Sequence, residues 1–372
     1  MNVHSGLGAK EMLKSYTVED LREGMKVGRD IMDADTSILI GAGTVLTNQM
    51  IYSLLERPIF FVYIEESDED ALVEIPGKEF LLDDEYVGSY ERAYQRVQRI
   101  YQQLYKNEVL ELQEIEDILS PKNVEELCNG AKAVSQIHNM SRDGSYVIHH
   151  ALHVMILAGL MCRWMSWPKE RAHDLMMSAV LHDVGKMKVP SEILDKRDSL
   201  TPEEFSTVKK HAEYGYNMLK LGPIGSKRDV LFGILQHHER CDGSGYPNAV
   251  RKDQIDEFAR IIGILDIYDA MATDRIYARR SSPFDVLGVL YEDVLNGKLD
   301  TEYGVLFMKN ICHALNGNWV RLSDGQKARI VYIDESRVTS LPVVQTIKDE
   351  FIDLNRRKDI KVESILTARE LE

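Results

Sequence analysis

Histidines are concentrated in one part of this 372-residue chain. Eight of the eleven lie between residues 149 and 238: His149, His150, His153, His173, His182, His211, His237 and His238. A carboxylate follows one of them directly in the pair His182-Asp183, and Asp266 and Asp269 stand three residues apart in the apolar segment FARIIGILDIYDAM. Imidazole and carboxylate side chains bind divalent transition metals and exchange protons near neutral pH.

Helical spacing directs several of these side chains inward. In the helix predicted to begin at Tyr146, His150 belongs to an apolar stripe with three- and four-residue spacing, formed by Val147, Ala151, Val154 and Ala158. His182 and Asp183 follow the apolar run AHDLMMSAVL and precede Gly185, which predicts that both emerge at a helix terminus.

A strong helix start follows at residues 201–204, where TPEE combines an N-cap threonine, a first-turn proline and a capping-box glutamate. We expect His211 to continue the apolar face of this same helix, with Val208, Tyr214 and Met218.

Two further helices complete the pattern. His238 lies in register with apolar positions of DVLFGILQ, with His237 beside it, and Asp266 shares a face with Ala259 and Ile262. Five helices are therefore predicted to direct an imidazole or a carboxylate inward.

The number of such groups predicts metal binding. A single histidine on an apolar face is more often a hydrogen-bonded core residue, but buried carboxylates such as Asp183 and Asp266 need positive charge nearby. Imidazoles and carboxylates without thiolates select iron, manganese, zinc or nickel. The inward-facing candidates are more than the four ligands that one tetrahedral zinc needs. There are seven of them: His150, His182, Asp183, His211, His237, His238 and Asp266. Two ions roughly 3.5–4 Å apart, sharing an aspartate, activate water for attack on phosphorus. The residues thus predict phosphoester hydrolysis.

Three segments in order, HDVGK, HHERCDGSGYP and DIYDAMATDRIY, resemble the HD-GYP family, bacterial cyclic di-GMP phosphodiesterases within the HD phosphohydrolase superfamily. This resemblance covers about residues 140 to 315. The segments LREGMKV and GAGTVLTNQMIYSL resemble the small domain that often precedes HD-GYP domains, and VRLSDGQKARIV resembles their common C-terminal extension.

The resemblance implies two divalent metal ions, with iron favoured and manganese next. One ion would be bound by His150, His182, Asp183 and Asp266, and the other by Asp183, His211, His237 and His238. Asp183 would then bridge the ions as a catalytic residue. Lys186 matches the family lysine that contacts the scissile phosphate or a bridging hydroxide. Some relatives hold a third ion with a glutamate where this chain has Tyr146, so two ions are expected.

The resemblance also implies contacts to substrate phosphates. Arg275 matches a phosphate-binding arginine of the family, supported by Arg279 and Arg280, although the same three residues also fit an ordinary basic surface patch. Relatives often carry a further basic residue where this chain has Ala278, with Arg279 one position later.

The loop around Tyr246 is the third implied substrate contact. Gly243 and Gly245 permit positive φ and would set Tyr246 beside the site, although such a loop alone is an ordinary turn. In the family this loop is associated with substrate and with GGDEF-type partner proteins.

Two histidines and one aspartate have supporting roles in this interpretation. His149 and His153 stand four residues apart and could pair on a metal, but support of the site or a surface position is expected. Asp269 is expected to orient a ligand histidine by accepting a hydrogen bond from it.

Three functions remain open from the sequence. The first is hydrolysis of cyclic di-GMP to pGpG or GMP by a metal-bridged hydroxide. The second uses the same site on another cyclic dinucleotide, such as cyclic GMP-AMP. The third is a catalytically silent nucleotide sensor or scaffold. Turnover by the metal-loaded protein separates the enzymes from the sensor.

The chain is predicted to be mainly α-helical, with an HD-type helical bundle, a small N-terminal α+β domain and a small β-rich C-terminal extension. The expected limits are 1–75 for a regulatory or assembly domain, 76–139 for a helical linker, 140–315 for the catalytic domain and 316–372 for the extension. The linker helices fit either a homodimer interface or packing on their own domain.

Composition limits the partners. A net charge of −15 disfavours broad contact with nucleic acid or an anionic membrane. Four scattered cysteines form no disulfide framework, and the N-terminus lacks the apolar core of a signal peptide. These features predict a cytoplasmic protein.

Overall fold

The computed structural model describes most of the chain, namely residues 12–32, 38–55, 57, 59, 61–66, 84–106, 109–139, 145–194, 196, 198–272, 281–334, 337–366 and 368–371. The chain divides into two compact units, Met1–Pro76 and Gly77–Glu372.

The first unit is a small α+β module. It contains the strands β1 (Met12–Thr17), β2 (Lys26–Val27), β3 (Ile31–Met32), β4 (Ile38–Ile40) and β5 (Phe61–Glu66) and the helix α1 (Asn48–Leu55). Strand β5 lies between β1 and β2 and is antiparallel to both, and β3 pairs with β4. A separate apolar core that includes Val27, Leu46 and Ile64 stabilises this module.

The second unit is mainly helical. Its helices before the site are α2 (Asp84–Tyr105), α3 (Leu112–Ile118), α4 (Pro121–Leu127), α5 (Gly130–Asn139), α6 (Tyr146–Trp164) and α7 (Lys169–Leu181). They are followed by a 3₁₀ turn (Val184–Lys188) and by α8 (Ser191–Leu194), α9 (Pro202–Lys209), α10 (His211–Leu219), α11 (Arg228–Gln236), α12 (Glu257–Ala272), α13 (Pro283–Leu295) and α14 (Thr301–Ala314).

Helix α6 is the centre of this bundle. Every residue from Ile148 to Cys162 is buried, so the helix is enclosed on all sides rather than along the single stripe that its spacing predicts. The reason is its composition, because a helix that is apolar all round buries its whole surface. Among the described residues, α6 is the one helix long and apolar enough to cross a membrane. Its most apolar 18-residue stretch is 83% buried inside the protein, as in the core helix of a bundle.

The predicted capping box is present at the start of α9. Thr201 Oγ1 accepts a hydrogen bond from Glu204 N, and Thr201 N donates to Glu204 Oε2 at 2.8 Å. The prediction that His211 belongs to the same helix is wrong, since α9 ends at Lys209 and His211 begins α10. The physical reason is a tight turn in which Lys210 N donates to the carbonyl oxygen of Thr207, three residues earlier.

A five-stranded antiparallel sheet follows the helices. Its strands are β6 (Trp319–Leu322), β7 (Lys327–Tyr332), β8 (Val343–Thr346), β9 (Phe351–Asp353) and β10 (Val362–Ile365), in the order β10-β6-β7-β8-β9, with the short helix α15 (Ala368–Leu371) after them. A hairpin turn joins β6 to β7, where Gly325 has φ +84°. The predicted fold class, a helical bundle with small α+β and β-rich ends, is confirmed.

Candidate metal centre

Seven side chains from separate segments of the second unit converge in its interior. They form two groups in which the potential ligand atoms all lie within 4.8 Å of one another: Asp183, His211, His237 and His238 in one, and His150, His182 and Asp266 in the other. His238 is half-buried and the other six are buried. The structure therefore brings together all seven residues that the sequence suggested as ligands.

A close backbone approach brings the two groups together. The 3₁₀ turn after Asp183 packs directly against α10, and a Cβ atom on Gly185 would collide with the carbonyl oxygen of His211 and lie 2.5 Å from Gly215 N. Only glycine at position 185 allows this approach, which sets Asp183 beside His211.

Asp183 lies between the two groups. Its Oδ2 is 3.6 Å from His150 Nε2 and 3.5 Å from His182 Nε2, whereas its Oδ1 is 3.3 Å from His211 Nε2 and 3.9 Å from His237 Nε2. The carboxylate is fully buried, and Oδ1 has no hydrogen-bond partner among the residues that the structure describes. Such an atom is costly unless a cation satisfies it, so the arrangement fits a bridging metal ligand.

Hydrogen bonds on the far side of three imidazoles assign their tautomers. The Nδ1–H groups of His182, His211 and His237 each donate to the backbone carbonyl three residues earlier, at 2.7, 2.7 and 2.8 Å. Nε2 is then the unprotonated nitrogen. His211 Nε2 lies 3.2 Å from His237 Nε2, so two lone pairs face each other, which a shared cation would stabilise.

The protonation states of the site suit metal binding. Burial lowers the pKa of His182, His237 and His238, and it lowers the pKa of His211 to about 4. These imidazoles are therefore neutral near pH 7, as metal ligands must be.

The carboxylates remain ionised despite their burial. Burial raises the pKa of Asp183, but the charge of Lys186 and the nearby imidazoles outweigh this and hold it well below its usual value. The pKa of Asp266 is also low, because the hydrogen bond from His150 outweighs the effect of burial.

The side chain of Lys186 lies directly beside Asp183. It belongs to the 3₁₀ turn, is half-buried, and its Nζ contacts Asp183 Oδ2. An ammonium group in this position can neutralise negative charge that develops on a bound oxyanion.

The loop at 243–246 covers one side of the site. Tyr246 stacks on His238, with ring centroids 4.6 Å apart, and burial raises the pKa of its phenol, so the phenol is neutral. Gly243 has φ +85°, as predicted. Gly245 has a different role, since its φ is not positive and a Cβ atom there would collide with the backbone of Glu239 and Arg240.

Glu239 holds this loop in place. Its buried carboxylate accepts hydrogen bonds from Asn248 N at 2.7 Å and Val250 N at 3.1 Å. The glutamate of the HHE segment therefore anchors the loop next to Tyr246.

Residues 117–302 match the HD domain family. This match covers half of the chain and includes every residue of the two groups. The chain belongs to the HD domain family. Together with the HHERCDGSGYP segment, the match confirms the resemblance to the HD-GYP type, and HD domains are metal-dependent.

Curated relatives of this HD domain protein are named as phosphodiesterases. A cyclic di-GMP phosphodiesterase of Pseudomonas aeruginosa is 31% identical over 194 residues, which are 52% of this chain and 46% of the relative. A 3'3'-cGAMP-specific phosphodiesterase of Vibrio cholerae is 34% identical over 158 residues, 42% of this chain and 34% of the relative. The chain therefore matches less than half the length of each. The solved structure of an HDG"Y"P protein from Bdellovibrio bacteriovorus is similar to this chain, with 17% sequence identity and a TM-score of 0.48. The match covers 80% of this chain and 98% of the other chain.

A chain of buried hydrogen bonds extends from the HD domain site to α2. His150 Nδ1 donates to Asp269 Oδ2 at 2.7 Å, and Asp269 Oδ1 accepts from His153 Nδ1 at 2.9 Å. The hydroxyl of Tyr90 then lies 2.7 Å from His153 Nε2 and 2.9 Å from His149 Nδ1. The expected role of Asp269 is present, and both histidines are buried rather than at the surface.

Tyr90 is the member of this network that the sequence analysis missed. It stands four residues before Tyr94 on the apolar face of α2, so its spacing indicated burial but gave no sign of a polar partner.

The arginines proposed to contact phosphate, Arg275, Arg279 and Arg280, lie in 273–280, outside the described residues, as does Ala278. Tyr146 stacks on His150 at 5.6 Å and provides no carboxylate for a third ion.

Proposed function

We propose that this HD domain protein is a metal-dependent phosphodiesterase that hydrolyses cyclic di-GMP to pGpG, to GMP or to both. The observation that carries the proposal is the position of Asp183, each of whose oxygens faces a separate group of imidazoles. The names of the curated relatives support a cyclic dinucleotide as the substrate. In this proposal residues 140–315 form the catalytic domain and residues 1–75 the regulatory or assembly domain, with a linker at 76–139 and an extension at 316–372.

Two divalent ions would occupy the site, iron being favoured and manganese next. His150, His182 and Asp266 would hold one ion, His211, His237 and His238 the other, and Asp183 both. A ligand set of imidazoles and carboxylates without thiolates suits either metal. When bound, the two ions supply an activated water and neutralise charge on the phosphate.

The remaining residues position the substrate. Lys186 would contact the scissile phosphate and stabilise the negative charge that develops on its oxygens. Tyr246, held by Gly243 and Gly245, would line the side of the pocket next to His238. Arg275, supported by Arg279, would bind phosphate oxygens and help to neutralise the charge that develops on them.

A second substrate is favoured by one specific observation. A relative named for 3'3'-cGAMP matches this chain with 34% identity, which is similar to the 31% and 35% of two relatives named for cyclic di-GMP. Cyclic GMP-AMP is therefore the alternative substrate of the same site. A silent sensor is disfavoured, because all seven potential ligands and Lys186 are present.

The proposed function also suggests a cellular location and partner proteins. Cyclic dinucleotides are cytoplasmic signals in bacteria, so we propose a cytoplasmic location. GGDEF-type proteins and a second copy of this chain are the proposed partners.

The test combines metal content with turnover. Protein is loaded anaerobically with ferrous iron or manganese, and hydrolysis of cyclic di-GMP and 3'3'-cGAMP is followed by chromatography. The control variants are Asp183→Ala and Asp256→Asn, the latter a half-buried carboxylate outside the site. We expect about two ions per chain and turnover in the wild type and in Asp256→Asn, and neither in Asp183→Ala. Two ions without turnover of either substrate would contradict the proposed enzyme.

A further inference from the structure

An exposed aromatic ring lies beside the candidate metal centre. Phe205, on α9, is 46% exposed and packs edge-to-face against Tyr246, with ring centroids 6.5 Å apart. Tyr246 in turn stacks on His238 at 4.6 Å. A continuous aromatic surface thus runs from one group of imidazoles to a ring that faces solvent.

A cation lies over this surface. The Nζ atom of Lys209, one helical turn after Phe205, is 4.7 Å from the centroid of the Phe205 ring and 5.5 Å from that of Tyr246. In the part of the chain that the structure describes, no carboxylate pairs with Lys209. The ammonium group therefore remains available to a ligand while the two rings hold it in place.

We propose that Phe205 and Lys209, together with Tyr246, form the subsite for a guanine base of the cyclic dinucleotide. This inference rests on the proposed function and adds to it the residues that recognise the base.

The chemistry of the surface favours a base over an inorganic ion. The phenylalanine ring has no polar atom and gains most from stacking against another flat π-system, and base stacking on an aromatic side chain strengthens binding roughly tenfold or more. Phe205 is only two ring contacts away from His238, with centroid distances of 4.6 Å and 6.5 Å. A phosphate at the metal centre can thus place its base on Phe205.

The ammonium group of Lys209 gives the proposed subsite a preference for guanine over adenine. Guanine presents two acceptors, O6 and N7, on one edge, whereas adenine presents a donor, its amino group, in place of O6. An ammonium group at that edge stabilises guanine and disfavours adenine.

The same unit contains a matched control. Tyr216 and Phe232 also pack edge-to-face, at 6.3 Å, and Lys220 and Arg228 lie over their rings at 5.6 and 4.7 Å. Truncation of Phe232 therefore removes the same kind of contact without touching Tyr246 or His238.

The experiment measures binding and turnover separately. Four proteins are loaded with manganese and their metal content is measured: the wild type, Phe205→Ala, Phe205→Trp and Phe232→Ala. Each is titrated with a slowly hydrolysed phosphorothioate analogue of cyclic di-GMP to obtain Kd. KM and kcat are then measured with cyclic di-GMP itself. We expect Phe205→Ala to raise Kd and KM roughly tenfold or more, with metal content and kcat nearly unchanged. Phe205→Trp and Phe232→Ala should resemble the wild type.

The outcomes separate the two proposals. If the wild type turns over cyclic di-GMP but Phe205→Ala has an unchanged Kd, the subsite is overturned and the phosphodiesterase is not. The same holds if Kd rises equally in Phe205→Ala and Phe232→Ala. Binding that depends on Phe205 without turnover would overturn the phosphodiesterase but not the subsite. Absence of both binding and turnover in the wild type would overturn both.

Lys209→Met tests the choice of base. The wild type should bind cyclic di-GMP more tightly than cyclic di-AMP, and the variant should lose most of this difference. An unchanged ratio would overturn the role of Lys209.

Discussion

Asp269 accepts a 2.7 Å hydrogen bond from His150 through the imidazole nitrogen that does not face the candidate metal centre. The other nitrogen, Nε2, lies 3.0 Å from Asp266 and 3.6 Å from Asp183. Asp269 therefore fixes the orientation of the His150 ring and directs its Nε2 toward the centre, as carboxylates behind metal-bound histidines commonly do.

The first prediction concerns this positioning residue. Asp269→Asn keeps the shape of the side chain but weakens its hold on His150, so we expect metal affinity to fall roughly 10- to 100-fold. Competition with a chelator measures the affinity, and Asp256→Asn provides the control. An affinity equal to that of the wild type would show that Asp269 has no part in metal binding.

Lys186 should act on the reaction rather than on metal binding. Lys186→Met removes the ammonium group next to Asp183 while retaining much of the apolar stem, and we expect kcat to fall on the order of 100-fold or more with metal content unchanged. Lys188→Met is the matched control, because Lys188 belongs to the same 3₁₀ turn but bonds to the carbonyl of Tyr105. Equal rates for the two variants would contradict the role of Lys186.

Gly245 should be intolerant of any side chain. In Gly245→Ala the added Cβ must displace the backbone of Glu239 or Arg240, which moves Tyr246 away from His238. We expect the free energy of unfolding to fall by about 1–3 kcal/mol and KM to rise. Thermal unfolding and steady-state kinetics check this, with the exposed neighbour Ser244→Ala as the control. A KM like that of the wild type would show that the loop does not position Tyr246.

The metal-free protein should show a specific pH dependence at His150. Burial lowers its pKa, but hydrogen bonds to Asp266 and Asp269 outweigh this and raise the pKa from 6.5 to about 9. A raised pKa stabilises the fold fully below pH 6.5, and the stabilisation is lost as the pH rises through 9. His150→Gln should therefore destabilise the metal-free protein more at pH about 6 than at pH about 10, by on the order of 3 kcal/mol.

Chemical denaturation of the wild type and His150→Gln at both pH values measures this difference. Titrating groups that do not interact with His150 cancel in the comparison. An equal loss of stability at both values would mean that His150 is neutral in the folded protein.

Helical periodicity was sufficient to predict that several candidate ligands face the interior of the bundle. The spacing of His150, His238 and Asp266 relative to apolar neighbours indicates which side chains share a buried face, and the capping box at Thr201 marks a helix start through local chemistry alone. Both depend on residues within a few positions of each other, so they are visible in the sequence.

Contacts between distant segments were not predictable in the same way. The bond between Tyr90 and His153 joins α2 to α6, and the close approach of Gly185 to His211 joins a turn to α10. Neither follows from spacing, because both depend on how helices pack in three dimensions. The break before His211 depends on a single tight turn that no proline or glycine marks.

The central claim is that Asp183 lies between two metal ions. Anomalous diffraction from crystals of the manganese-loaded protein tests it most directly. We predict two anomalous peaks on either side of the Asp183 carboxylate, one next to His150, His182 and Asp266 and the other next to His211, His237 and His238. A single peak, or peaks away from Asp183, would contradict the account.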